Sequence, residues 1–92
     1  MLKVRNMISP RSCKSVANQF LITDSTEGVT YFQSYKATIA AIHHNGDVEL
    51  DEKYWNWSRT TSKYRSEFLG ESTEVTRKKI NDGTYKLVNL NF

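Results

Sequence analysis

Apolar and polar positions along this chain fall into short, turn-bounded runs rather than long periodic stretches. Asn18 to Thr23 and Val29 to Phe32 are rich in β-branched and aromatic residues and flank Asp24-Ser25-Thr26-Glu27-Gly28, whose composition is that of a hairpin turn. Thr38 to His44 and Asp47 to Asp51 flank Asn45-Gly46, the strongest short hairpin signal, because a type I′ turn needs positive φ at both central residues. A two-residue loop there places His44 opposite Asp47, His43 opposite Val48 and Ala41 opposite Leu50. Alternation then puts Ile39, Ala41, His43, Val48 and Leu50 on the core face, with Ile42, His44, Asp47, Glu49 and Asp51 outward. Tyr35, Thr38, Ile39 and Ile42 also fit a helical i, i+3, i+4, i+7 spacing, so this strand could begin as a short helix.

The period changes after Trp57. Ser58 or Thr60 is a capping residue, Tyr64, Phe68 and Leu69 form a stripe, and Gly70 is the stop, which together predict a helix. Ser72 to Asp82 predicts a second, with Glu74 in its first turn, Arg77, Lys78 and Lys79 later, and Gly83 behind it, as the helix dipole prefers. Tyr85 to Asn91 alternates as a closing strand. The order is ββββααβ: an α+β domain with an antiparallel sheet of four or five strands and two consecutive helices packed on one face. Residues 1–17 are polar and basic, broken by Pro10, and show neither period; they read as a mobile basic N-terminal arm ahead of a single domain at 18–92.

With 92 residues, 38% hydrophobic and 25% charged, one modest core is expected, and stability no greater than about 10 kcal/mol. A partner or a second copy, as a homodimer, could add to that. No apolar run approaches the roughly 20 residues of a membrane span, and no apolar block follows Lys3 and Arg5 as in a secretory signal, so a cytoplasmic location is expected. Cys13 is the single cysteine, which excludes an internal disulfide and a cysteine-based zinc cluster. The net charge of +3 is segregated: +4 over residues 1–16, −5 over 24–52 and +4 over 53–86. Such a bipolar chain suits steering toward a charged partner.

Candidate chemistry is sparse. His43-His44 beside Asp47, Glu49 and Asp51 has the residue types of a metal or acid–base site, but adjacent histidines on a strand point to opposite faces, leaving only His44 to join the carboxylates. Asp51-Glu52-Lys53 matches a fragment of a nuclease metal site and is too short to carry one. The four glycines are scattered, so no phosphate loop forms, and no nucleophile elbow surrounds any serine. No enzyme activity, metal or cofactor is expected. Arg77-Lys78-Lys79 reads as dipole compensation on a solvated helix face, supported by Glu74 four residues before Lys78.

The richest segment runs from Lys53 to Arg65 and holds four bases, four aromatics, four hydroxyl residues and no acid. Trp55, Trp57, Arg59, Lys63 and Arg65 are its candidate partner-binding residues. Rings stack on bases while cations neutralise phosphates, and Trp with Arg is equally the composition of a protein–protein hot spot. Against this, one or both tryptophans are expected to pack the helix onto the sheet.

Tyr31 to Ala40, Leu50 through Tyr54-Trp55-Asn56-Trp57-Ser58-Arg59-Thr60-Thr61-Ser62-Lys63-Tyr64 to Phe68-Leu69-Gly70, and Gly83 to Leu87 resemble a family of small uncharacterised proteins found in bacteriophages and prophages, over residues 18–92. The resemblance implies a phage-encoded product in a bacterial host cell. It implies stoichiometric binding to a host protein, as in anti-defence, anti-CRISPR-like inhibition. Direct nucleic-acid binding is the alternative.

Overall fold

The computed structural model describes residues 2–9 and 11–91; Pro10, expected to break the N-terminal arm, lies outside them. Six strands and two helices follow in the order β1 (Leu2–Ile8), β2 (Ser15–Asp24), β3 (Val29–Ser34), β4 (Ala37–His43), β5 (Val48–Asp51), α1 (Arg59–Leu69), α2 (Thr73–Asn81) and β6 (Lys86–Val88). The strands form one sheet in sequence order, antiparallel except for the parallel β5–β6 pair. The α+β class and the consecutive helices agree with the sequence reading. The strand count does not, because six replace four or five.

The extra strand comes from the segment expected as a mobile arm. Leu2–Ile8 pairs with β2 from Leu2↔Asp24 to Asn6↔Phe20, and the register slips before Ile8↔Ser15. The Asn6 carboxamide donates to the Val16 carbonyl across that slip (2.9 Å), and Asn18 takes a left-handed φ of 64°. Alternation in Leu-Lys-Val-Arg-Asn-Met-Ile is genuine, but two of its three odd positions are charged and its even ones mostly apolar and exposed, so no buried stripe marked it. Met7 alone on this strand is buried in the core.

The β4–β5 hairpin is displaced by one residue from the expected register. Ile42 faces Val48 and Ala40 faces Leu50, so Ala41 and His43 are not their core-face partners. The loop has three residues instead of two: the Asp47 carbonyl accepts from His43 N–H (2.8 Å), and the His43 carbonyl accepts from Gly46 N–H (2.9 Å). Gly46 alone takes positive φ (98°), while the Asn45 side chain accepts from Asp47 N–H (2.9 Å). Asn45 therefore serves as a side-chain cap, and the turn is the bulged form rather than type I′. A bulge in β4 leaves Ile39 unpaired between Thr38 and Ala40, which lets both Ile39 and Ala40 face the core.

That core consists of Met7, Phe32, Ile39, Ala40, Val48 and Leu50 from the sheet, Tyr64 from α1 and Tyr85 before β6, with Phe68, Leu69 and Ile80 packed against it. Phe32 and Phe68 bring their rings to 5.8 Å. Both helices thus cover the same side of the sheet. Ser58 caps α1 by accepting from Thr61 N–H, Gly70 ends it at φ 70°, and Ser72 caps α2 by accepting from Val75 N–H. Only glycine adopts the Gly70 conformation without strain, which is why the stop was legible.

Two carboxylates tie the ends of these elements together. Asp51, fully buried, accepts from Lys53 N–H (3.1 Å), Tyr54 N–H (2.9 Å) and Leu90 N–H (2.8 Å). Glu71 accepts from the Tyr85 hydroxyl (2.6 Å), the Thr76 hydroxyl (2.7 Å) and the Lys79 ammonium (2.9 Å). In both, burial pushes the carboxyl pKa up, but hydrogen bonds outweigh it and hold the group below its ordinary value: those from Leu90, Tyr54, Asn91 and Lys53 at Asp51, and those from Tyr85, Thr76 and Lys79 at Glu71.

A carboxylate with a depressed folded pKa contributes stability that is complete above its unfolded value, about 4, and lost as pH falls through the folded value. Urea midpoints should therefore hold level near neutrality and drop at acid pH, and a combined Asp51→Asn and Glu71→Gln variant should show a flatter drop. Asp51→Ala, which strands three backbone donors, should cost about 3 kcal/mol at pH 7. A cost below about 0.5 kcal/mol would mean the carboxylate is not the tie described.

Candidate functional site

The aromatic-basic segment begins where Asp51 caps the turn after β5. With its first N–H groups held by that carboxylate, and the Asp51 carbonyl accepting from Trp55 N–H (3.0 Å), the chain from Lys53 to Trp57 coils tightly before Ser58 starts α1. This geometry sorts the five candidate residues into different environments.

Arg65 points inward and is fully buried. Its guanidinium donates to the Trp55 carbonyl (2.5 Å), the Asn56 side chain (3.3 Å), the Ser66 hydroxyl (3.4 Å) and the Thr73 hydroxyl (2.6 Å). Burial lowers its pKa, Arg77 adds to the lowering, and Glu71 opposes it. Arg65 is therefore a structural cation, not a surface contact. Trp55 is half-buried against the core, with the Arg65 and Arg77 guanidinium groups 5.2 and 5.7 Å from its ring. Arg77, expected to serve the helix dipole on a solvated face, thus also packs on an aromatic ring, and Lys79 is paired with Glu71.

Trp57, Arg59 and Lys63 remain exposed, and they do not form one patch. Lys63 lies along α1 with its ammonium 5.2 Å from the Tyr64 ring, in a hollow it shares with Ser9, Arg11 and Glu67. Arg59 is the first residue of α1. Trp57 is 61% exposed and meets the edge of Tyr54 at 4.9 Å between ring centres.

Trp57 borders a cleft of about 710 Å³. Its walls are the β3–β4 turn with its flanks from Ser34 to Ile39, the turn residues Tyr54, Trp57 and Ser58, Thr61 of α1, and Leu90 and Asn91 of the C-terminal tail. No acid lines it, and Lys36 is its cation. The tail is fixed there by Asn91, whose side chain both donates to the Thr38 carbonyl (2.8 Å) and accepts from Thr38 N–H (2.7 Å), as a further strand would.

Tyr35, which the sequence reading did not select, lines this cleft together with Trp57. Its ring is 58% exposed and its backbone is left-handed at φ 56°. Tyr35 N–H donates to the Asn18 carbonyl (2.7 Å) and the Gln33 side chain donates to the Tyr35 carbonyl (2.7 Å), so the conformation is enforced from both sides. A bulky residue there costs about 1 kcal/mol that glycine would avoid. Nothing in the local sequence signalled it, since the turn's central pair, Tyr35-Lys36, holds no glycine, asparagine or aspartate.

The acidic hairpin carries no such site. His43, not His44, meets a carboxylate: its Nε2 lies 2.6 Å from Glu49, because the one-residue register shift puts both on the uncovered sheet face. Among the described residues no group of three His, Cys, Asp or Glu side chains is arranged to hold a metal ion. Asp51, the first residue of the nuclease-like fragment, is occupied by backbone N–H groups.

Denaturation separates these roles. Arg65→Ala should cost about 3 kcal/mol by stranding buried acceptors and hydroxyls, whereas Trp57→Ala should cost about 1 kcal/mol, the worth of one aromatic edge contact. Equal losses in urea midpoint would contradict the assignment of Trp57 to the surface and Arg65 to the interior.

No helix among the described residues is long and apolar enough to cross a membrane. No curated protein matches this chain, and no solved structure does. One family profile matches residues 2–83, so the match includes β1 and stops short of the tail that closes the cleft. The chain belongs to that family, DUF8033, a family of unknown function.

Proposed function

We propose that this domain is a binding module that grips a protein partner in the cleft between the β3–β4 turn and the start of α1, with Trp57 and Tyr35 as its anchors. The observation that carries this reading is the pair of large, exposed rings bordering one concave, acid-free surface, one of them held in a strained backbone conformation. Strain in an exposed residue offers nothing to the core, and tryptophan and tyrosine in a concavity are the commonest anchors of protein interfaces. Lys36 on the lining and Arg59, the residue after Ser58 of its wall, add positive charge, which favours a partner with acidic residues around an apolar centre. The resemblance to small phage-encoded proteins gives the partner a class: a host protein, bound stoichiometrically by an anti-defence inhibitor.

Direct nucleic-acid binding is favoured by a different observation, the Lys53 ammonium 5.2 Å from the Tyr54 ring beside Trp57, where a base could stack and a phosphate be neutralised. One set of variants decides between the two. Tagged protein incubated with bacterial lysate should retain a defined protein at equimolar ratio. Trp57→Ala and Arg59→Glu should weaken retention, and Tyr35→Gly should abolish it with no loss of thermal stability. Retention by all three variants would remove the cleft from the interface. Quenching of Trp57 fluorescence by single-stranded DNA, with affinity falling steeply between 50 and 200 mM salt, would transfer the assignment to nucleic acid.

A further inference from the structure

The outer edge of β1 is a second, separate surface, and its chemistry is independent of the cleft. Among the described residues β1 pairs with β2 alone and closes the sheet on that side, so one row of its backbone N–H and C=O groups faces outward over seven residues. An edge of that length is a template for another strand unless it is blunted by charge. Here the charge has one sign and one side. Lys3 and Arg5 lie across from Thr23 and Leu21, on the helix-covered side, while Leu2 and Val4 lie across from Asp24 and Ile22, on the uncovered face. Among the described residues no carboxylate pairs with Lys3 or Arg5.

The uncovered face continues the pattern inward. Val4, Ile22, Tyr31 and Ala41 follow one another across four strands as an apolar row, and Leu2 and Val4 are each more than 60% exposed at its end. A strand added outside β1 would therefore set alternate residues beside Val4 and the others beside Lys3 and Arg5. A second copy of β1 fits poorly, since an antiparallel pair centred on Val4 places Lys3 against the other copy's Arg5, and like charges directly opposite are destabilising.

We propose that the β1 edge accepts an extended segment of a partner protein in which apolar and acidic residues alternate, added as a seventh strand. Backbone hydrogen bonds hold it, the apolar residues extend the Val4 row, and the carboxylates pair with Lys3 and Arg5.

The probe is a labelled peptide of alternating valine and glutamate about seven residues long, matching β1, titrated against the whole domain by fluorescence anisotropy and by backbone amide shifts. The acidic peptide should bind about tenfold more tightly than its lysine counterpart, with shifts concentrated in Leu2–Ile8. Combined Lys3→Glu and Arg5→Glu should invert that preference; both side chains are exposed, and melting by circular dichroism checks that the fold is kept. Should that variant not fold, peptides N-methylated on alternate amides decide the matter with the unaltered protein: methylation along one edge should abolish binding and along the other should leave it. Equal binding of acidic and basic peptides, indifference to methylation, or shifts at Trp57 instead of β1 would each overturn the proposal. A dimer in sedimentation whose β1 amides are protected would do so too, because a second copy would then be the occupant.

Discussion

The buried guanidinium of Arg65 decides what the surface of this protein can be. It ties the carbonyl of Trp55 and the side chain of Asn56 to the first residue of α2, and so fixes the aromatic turn against both helices at once. A cation in that position meets neutral acceptors and the face of an indole rather than a direct carboxylate partner, and its Nε has no partner among the described residues. Such an arrangement tolerates little rearrangement, since moving the turn would strand a buried charge. With Trp55 held inward by this contact, Trp57 two residues later can only point outward.

Polar ties of the same kind hold the other loose ends. Asp51 joins the end of β5 to the C-terminal tail, Asn91 joins that tail to β4, and Glu71 joins the helix junction to Tyr85 ahead of β6. A domain of this size has a small apolar core, so the ends of its elements are not held by burial alone. Each tie brings together segments distant in sequence, and the cleft is a by-product of two of them together with the β3–β4 turn. The β3–β4 turn supplies Tyr35, the capped turn after Asp51 supplies Tyr54 and Trp57, and the Asn91 clamp supplies the far wall.

The two sides of the molecule are thus specialised differently. The helix-covered side spends its apolar residues on the core, leaves the rings of Tyr35 and Trp57 exposed at the cleft and carries Lys3 and Arg5 on β1. The bare side of the sheet keeps an apolar row running out to the free edge of β1, while Asp47 and Glu49 lie at the opposite end, on β5 and the hairpin before it, and Asp24 sits across from Leu2. This is the spatial form of the charge segregation along the chain. It gives the domain two separate contact regions, one concave and aromatic, one linear and basic.

Much of this was determined by sequence alone. The helices were legible to within a residue because their signals are local: Ser58 and Ser72 accept from N–H groups three residues on, and Gly70 takes the left-handed conformation only glycine adopts freely. The central strands were legible for the same reason. The segment from Lys53 to Arg65 was marked by composition, but composition carries no direction, so Arg65 and Trp57 looked equivalent until packing put one at the centre and the other outside. Strand β1 was missed because edge strands need no buried stripe, and a basic alternating segment is strand-like only once β2 lies beside it. The hairpin register turned on whether Asn45 would adopt positive φ or cap the turn with its side chain, a difference of one residue that sets Ala40 and Ile42 beside Leu50 and Val48 in place of Ala41 and His43. Tyr35 and the tail residues were out of reach, since their position depends on hydrogen bonds with Asn18, Gln33 and Thr38. Sequence determined which elements form; the long-range contacts decided which side chains those elements leave facing outward.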